Sequence, residues 1–127
     1  MSSFTNYLEN AVLNHVFKNS PYTSPTTVYL ALFTVSPTDA GGGTEVTGGG
    51  YARQAVTFST ATTGSNNNTA AVNFTAAGAN FGTIVASAYF DALTGGNMLA
   101  WDGSGSSVIN DGDTLQFPIN NCTNSLD

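Results

Sequence analysis

Charge is the scarcest commodity in this sequence. Asp, Glu, Lys and Arg make up 8% of it, where an ordinary soluble domain carries about 25%. Lys18 and Arg53 are the only bases against eight acids, and the formal charge is -6. Two bases cannot neutralise a run of phosphates, so neither direct nucleic-acid binding nor docking on an anionic membrane is expected. Thr, Ser, Asn and Gly coat the chain instead. A surface so poor in charge favours contact with other protein, although a viral or extracellular all-β domain with a bland polar coat would show the same composition.

Cysteine is nearly missing too. Cys122 is the only one, so no internal disulfide can form, and few cations are at hand to activate its thiol. It reads as a buried or incidental thiol rather than a nucleophile or metal ligand. No apolar run approaches the ~20 residues of a membrane-spanning helix. The first residues lack a basic start, and Asn6, Glu9, Asn10 and Asn14 interrupt their apolar positions, so no secretory leader is expected. The Asn-x-Ser/Thr triplets at Asn67, Asn73 and Asn121 then read as chance in an Asn- and Thr-rich chain.

The equipment of catalysis is equally sparse. His15 is the only histidine, it falls on a helical pattern, and no nucleophile or third partner accompanies it, so it reads as a packing or surface residue. A glycosidase would need two carboxyls at a defined separation. The candidates Asp91, Asp102, Asp111 and Asp113 all fall in turn sequences, where aspartate bonds its own backbone. Asp111-Gly112-Asp113, even with Asp102, falls short of a calcium loop. The triplets Gly41 to Gly43 and Gly48 to Gly50 lack the Lys and Ser or Thr of a phosphate loop and precede a strand, so they read as flexible linkers. No catalytic, cofactor or metal residue is assigned, and the binding residues stay unassigned. The expectation is a protein that is not an enzyme.

What the sequence does contain is pattern. A chain of 127 residues fits one domain, read as a helix within residues 1–20 followed by a β-sandwich over 26–127. Phe4, Leu8, Ala11, Val12 and Val16 recur at helical spacing, with Tyr7 and Leu13 widening the stripe. Ser3 or Asn6 can cap the start, Asn6 with Glu9 as a capping box, and Ser20-Pro21 can stop the helix. Thr27 to Thr34 is apolar on both faces, as in a central strand covered twice, with the helix over one face.

Ser36 to Gly50 reads as a long mobile loop, Tyr51 to Phe58 as a strand, and Ser59 to Asn68 as a polar connection. Ala70, Val72 and Phe74 alternate with wet positions. Gly82 to Asp91 is a longer, doubly covered strand that pairs with Met98 to Trp101 in a hairpin. After a Gly103 to Ser107 loop, Val108-Ile109 and Thr114 to Phe117 complete six or seven strands, with Pro118 ending the last. Ile119 to Asp127 is too polar to assign. The fold class is mainly β: an antiparallel β-sandwich, with a jelly roll as one form, and one N-terminal helix packed on it.

The block Phe4-Thr5-Asn6-Tyr7-Leu8-Glu9-Asn10-Ala11-Val12-Leu13-Asn14-His15-Val16-Phe17, then Tyr22 to Thr34, Ser36-Pro37-Thr38-Asp39, Thr44-Glu45-Val46 and Gly50-Tyr51-Ala52-Arg53-Gln54 resemble a family of small structural proteins of tailed bacteriophages and cyanophages. Phe90-Asp91-Ala92, Asn97-Met98-Leu99 and Asn110 to Phe117 extend the similarity over most of the chain, while Asn120 to Asp127 departs from it. Members are often labelled tail-fibre-like, and some look like capsid cement, or decoration, proteins. The resemblance implies a virion structural role. The first expectation from it is a cement protein on the outer capsid surface, a homo-oligomer (a trimer) that clamps major capsid protein subunits. The alternative is a tail-fibre or receptor-binding module that contacts the host surface. Tyr7, Phe17, Tyr22, Tyr51, Tyr89 and Trp101 suit self-association or core packing equally.

Overall fold

A computed structural model describes residues 3–103 and 105–126. Ser104, within the expected Gly103 to Ser107 loop, and Asp127, at the end of the tail, lie outside the described residues, as do Met1 and Ser2. The architecture is mainly β, one N-terminal helix on several packed antiparallel sheets, consistent with the β-sandwich expected. Among the described residues twelve short strands replace the six or seven read from the pattern, because ladders of two or three residues are too short to show a period.

The chain opens with β1 (Ser3–Phe4) and enters α1 (Asn6–Phe17). β1 pairs antiparallel with β9 (Met98–Asp102), Ser3 opposite Trp101 and Phe4 opposite Ala100. That pairing holds the chain extended through Thr5, so the helix cannot begin at Ser3 and its cap is Thr5 rather than Ser3 or Asn6. The Thr5 hydroxyl accepts from the Leu8 amide at 3.4 Å and lies 2.6 Å from the Met98 carbonyl, to which it donates. At the other end the chain turns on Asn19, at φ 57°, before Pro21 is reached. The Ser20 amide bonds the Asn14 carbonyl at 2.9 Å there. A left-handed Asn ends helices because its short polar side chain tolerates that backbone region.

The centre of the fold is β2 (Val28–Val35), where Leu30, Ala31 and Leu32 are completely buried, as its two-faced apolar sequence predicts. One edge of β2 pairs with β8 (Ala86–Phe90), which continues through a hairpin into β9. The other edge pairs with β4 (Gln54–Val56) near its start and β3 (Thr44–Glu45) near its end. On one face Leu30 and Leu32 join Phe74, Ile84, Tyr89 and Ile109 in the main core. On the other, Ala31 and Ala88 pack with Phe33 and Phe90, whose rings stack at 6.3 Å.

Three two-stranded ribbons complete the core: β6 (Val72–Thr75) with β11 (Thr114–Phe117), β7 (Gly82–Ile84) with β10 (Ser107–Ile109), and β5 (Ser65–Asn67) with β12 (Thr123–Ser125). The run Gly82 to Asp91 is thus not one doubly covered strand. At Val85 it leaves β10 and joins the larger sheet, so Thr83 is exposed while Ala88 is completely buried. β6 alternates as expected, Val72 and Phe74 in, Asn73 and Thr75 out. β5 and β12, by contrast, sit in the segments read as a polar connection and as an unassignable tail. Their polar side chains hide any apolar period; the backbone ladder defines them, with the Thr123 hydroxyl donating to the Asn67 side-chain oxygen at 2.7 Å and the Asn124 amide to that of Asn66 at 3.3 Å across it.

Two further expectations need correction. The helix does not cover a face of β2: it packs against β1 and β9 at the edge of the sheet, and none of its residues is fully buried. Nor is Ser36 to Gly50 a mobile loop with glycine linkers. β3 lies within it, Pro37 and Val46 are buried, and Gly49 (φ 60°) passes so close to Ala79 that an added Cβ would sit 2.7 Å from its carbonyl oxygen. All six glycines take positive φ, and at Gly43 and Gly49 a close backbone approach adds a second reason for the missing side chain.

Candidate functional site

Among the described residues, the strongly charged site inside the molecule is an ion pair that the sequence pattern does not disclose. Arg53, 9% exposed, sits one residue before β4, and Glu45 ends β3. Nε and Nη2 of the guanidinium donate to the two Glu45 carboxylate oxygens at 2.9 Å each, a bidentate fork. Nη1 donates to the carbonyls of Ala92 and Gly95 at 2.9 and 2.8 Å, and the guanidinium carbon lies 3.6 Å from the centre of the Phe90 ring. Tyr51 donates its hydroxyl to Glu45 at 2.7 Å and accepts from the Leu32 amide. Burial favours the neutral acid, but the bonds from Arg53 and Tyr51, together with the Arg53 charge, outweigh it and hold the Glu45 carboxyl below its usual range. Tyr51 is pushed well above an ordinary phenol, first by burial and then by its bond to that carboxylate. A base standing between Ala52 and Gln54 in a strand is the one sequence hint of such a pair. Four of the five guanidinium N–H donors are bonded, and the cluster ties the turn that carries Ala92 and Gly95, together with Tyr51, to β3 and β2.

The four aspartates read as turn residues do not converge. Asp91 accepts from the Asn97 amide at 2.7 Å and from its side chain at 2.9 Å, closing the β8 to β9 hairpin. Asp111 accepts from the Gly78 amide and Asp113 from the Asn110 amide, both at 2.9 Å. Asp102 lies on β9. Among the described residues no group of three or more His, Cys, Asp or Glu could hold a metal ion. His15 is exposed and accepts from the Tyr22 amide at 3.1 Å. Cys122 is a buried free thiol whose pKa burial raises. Asn68, one of three consecutive asparagines, is completely buried: its amide nitrogen donates to the Ala70 and Pro118 carbonyls and its oxygen accepts from the Cys122 amide. Nothing in the sequence separates it from Asn66 and Asn67.

The surface is more informative than these interior groups. An open groove of about 270 Å³ runs between the start of α1 and the β5/β12 ribbon, with Phe4, Leu8, Phe58, Tyr89, Leu99 and Leu126 among its walls. It is overwhelmingly apolar, and Phe58 meets Tyr89 edge to face at 5.4 Å on its floor. At the far end of the same helix, Leu13 and Val16 are each 54% exposed and Phe17 is 80% exposed. Leu13, Val16 and Phe17 are neighbours at three- and four-residue spacing; Val16 continues the row of Leu8 and Val12, while Leu13 and Phe17 turn away from it. Of the aromatics that suited either role, Tyr51 and Tyr89 belong to the core. Trp101 is half-buried and donates to Asp39 at 2.8 Å, Tyr7 meets Tyr22 edge to face, and Phe17 stands in solvent.

The described residues form a small, charge-poor β domain whose Asp91, Asp111 and Asp113 bond turn amides and whose surface carries an apolar groove and an apolar helix end. The family is a phage one: the chain belongs to the family described as podophage GP4 fiber I protein gp80, whose model matches residues 3–125. The protein is therefore a bacteriophage structural protein, a component of the virion. No curated protein matches the chain. No described helix is long and apolar enough to cross a membrane.

Proposed function

We propose that this chain is a subunit of a virion fibre, built to bind copies of itself and neighbouring virion proteins and to do so without catalysis. The observation that carries the reading is the family match, which spans almost the whole chain and bears a fibre description. It favours the fibre over the head cement that was the first expectation from the resemblance. Physical support comes from the surface: few charges to keep neighbours apart, an apolar groove, and a helix presenting Leu13, Val16 and Phe17 to solvent. Exposed apolar features of this kind mark protein contacts. The turn bonds of Asp91, Asp111 and Asp113 speak for a scaffold rather than an acid-base pair.

Copy number tests the assignment. Quantitative mass spectrometry of purified particles should find a fibre subunit in far fewer copies than the major capsid protein, and gold-labelled antibody should mark fibres. A copy number comparable to the major capsid protein, with label over the head, would replace the fibre by a decoration protein.

A further inference from the structure

We propose that Phe17 of one copy seats in the apolar groove of a second copy, joining subunits head to tail. The proposal rests on the reading of the chain as a self-associating virion subunit and names the surface that does it. Knob and hole occur on one molecule, at opposite ends of one rigid element: Leu8 lines the groove and Phe17 ends the helix. Nine residues of helix separate them, about 14 Å at 1.5 Å per residue, so Phe17 cannot fold back into its own groove. A surface knob complementary to a pocket elsewhere on the same chain generates heterologous contacts, and these close into rings when the rotation allows.

Size and charge both fit. A cavity of about 150 Å³ lined by aliphatic and aromatic side chains takes up benzene, so about 270 Å³ accommodates a phenyl ring with part of a neighbouring aliphatic chain. Phe17 at 80% exposure offers the larger part of the ~150–250 Å² an aromatic side chain can bury. That alone is well short of the ~800 Å² per partner of a stable pair. A ring engages every copy twice, once as knob and once as hole, and Leu13 and Val16 widen the contact. Lys18 follows the knob and Glu9 follows the groove residue Leu8. Among the described residues neither makes an ion pair, and with Arg53 committed to Glu45, Lys18 is the remaining residue of the two Lys and Arg. A second copy supplies the acid that Lys18 lacks at home, beside the groove that takes Phe17.

The test uses the full chain, with mass measured by size exclusion and light scattering. Wild type should be oligomeric. Phe17→Asp, which removes the knob, and Ala61→Trp, which fills the groove from an exposed wall position, should each be monomeric with unchanged melting temperature. Mixed in equal amounts at high micromolar concentration, they should regain a one-to-one association weaker than the wild-type oligomer, because one intact groove and one intact knob remain but no ring can close. Lys18→Glu should weaken association about tenfold or more, as misplaced charge does at interfaces, and Glu9→Lys in the same chain should restore it. If Ala61→Trp stays oligomeric while Phe17→Asp does not, the helices meet each other and the groove assignment is wrong. An oligomer indifferent to both variants overturns this interface but leaves self-association standing, whereas a wild-type monomer at high micromolar concentration overturns both.

Discussion

Removing the Arg53 side chain past its methylenes, as in Arg53→Met, gives the most direct test of what holds the two edges of β2 together. The substitution deletes the bidentate fork to Glu45, the two bonds to the Ala92 and Gly95 carbonyls, and the contact with Phe90. Breaking a buried pair from one side costs about 3–5 kcal/mol, because the abandoned charge stays behind. Glu45 keeps 26% of its side-chain exposure, so solvent relieves part of that, and the turn carbonyls can find water. The low end, about 3 kcal/mol, is therefore expected. For a chain of this length each kcal/mol moves the melting temperature by roughly 4 °C, so calorimetry should show a fall of about 12 °C. Arg53→Lys retains charge but loses the planar fork and should cost about half as much. If Arg53→Met melts within about 3 °C of wild type, under 1 kcal/mol by the same conversion, the network is not the brace described.

The same carboxylate predicts an acid limb. Its folded pKa is held below the usual range, so its stabilisation is present above the unfolded value of ~4.3 and is lost as pH falls through the lower folded value. Denaturant midpoints measured from pH 6 down to 3 should fall less steeply in Glu45→Gln than in wild type. Asn68→Ala strands the Ala70 and Pro118 carbonyls and the Cys122 amide and should cost about 2–4 kcal/mol, since unsatisfied buried groups cost ~1–3 each with partial recovery by water. Hydrogen exchange should show the loss concentrated in residues 119–126. Gly49→Ala meets the Ala79 carbonyl at 2.7 Å with φ at 60°, whereas Gly48→Ala has φ 81° and open space. Urea unfolding should find the first clearly worse than the second, which carries only the ~1 kcal/mol of left-handed strain.

Local pattern determined a good deal of this protein. Eight residues apolar on both faces made β2 a central strand, because only a doubly covered strand can hide Leu30, Leu32, Ala31 and Phe33 at once. Period-two alternation located β6, and helical spacing located α1, since each reports a side-chain direction set within a few residues.

Tertiary structure alone decided the remainder, which depends on who stands opposite whom. Asn68 and Asn66 are indistinguishable in sequence, yet one is sealed between three backbone groups up to 54 residues away. β5 and β12 exist because their backbones pair, not because their side chains alternate. The helix pattern promised a stripe on the core but could not say that β1 would dock at the sheet edge and leave Phe17 in solvent. Nor could it reveal the groove, whose walls come from strands and loops scattered from Phe4 to Leu126. Hydrophobic periodicity is short-ranged, while burial is a property of the completed contact map.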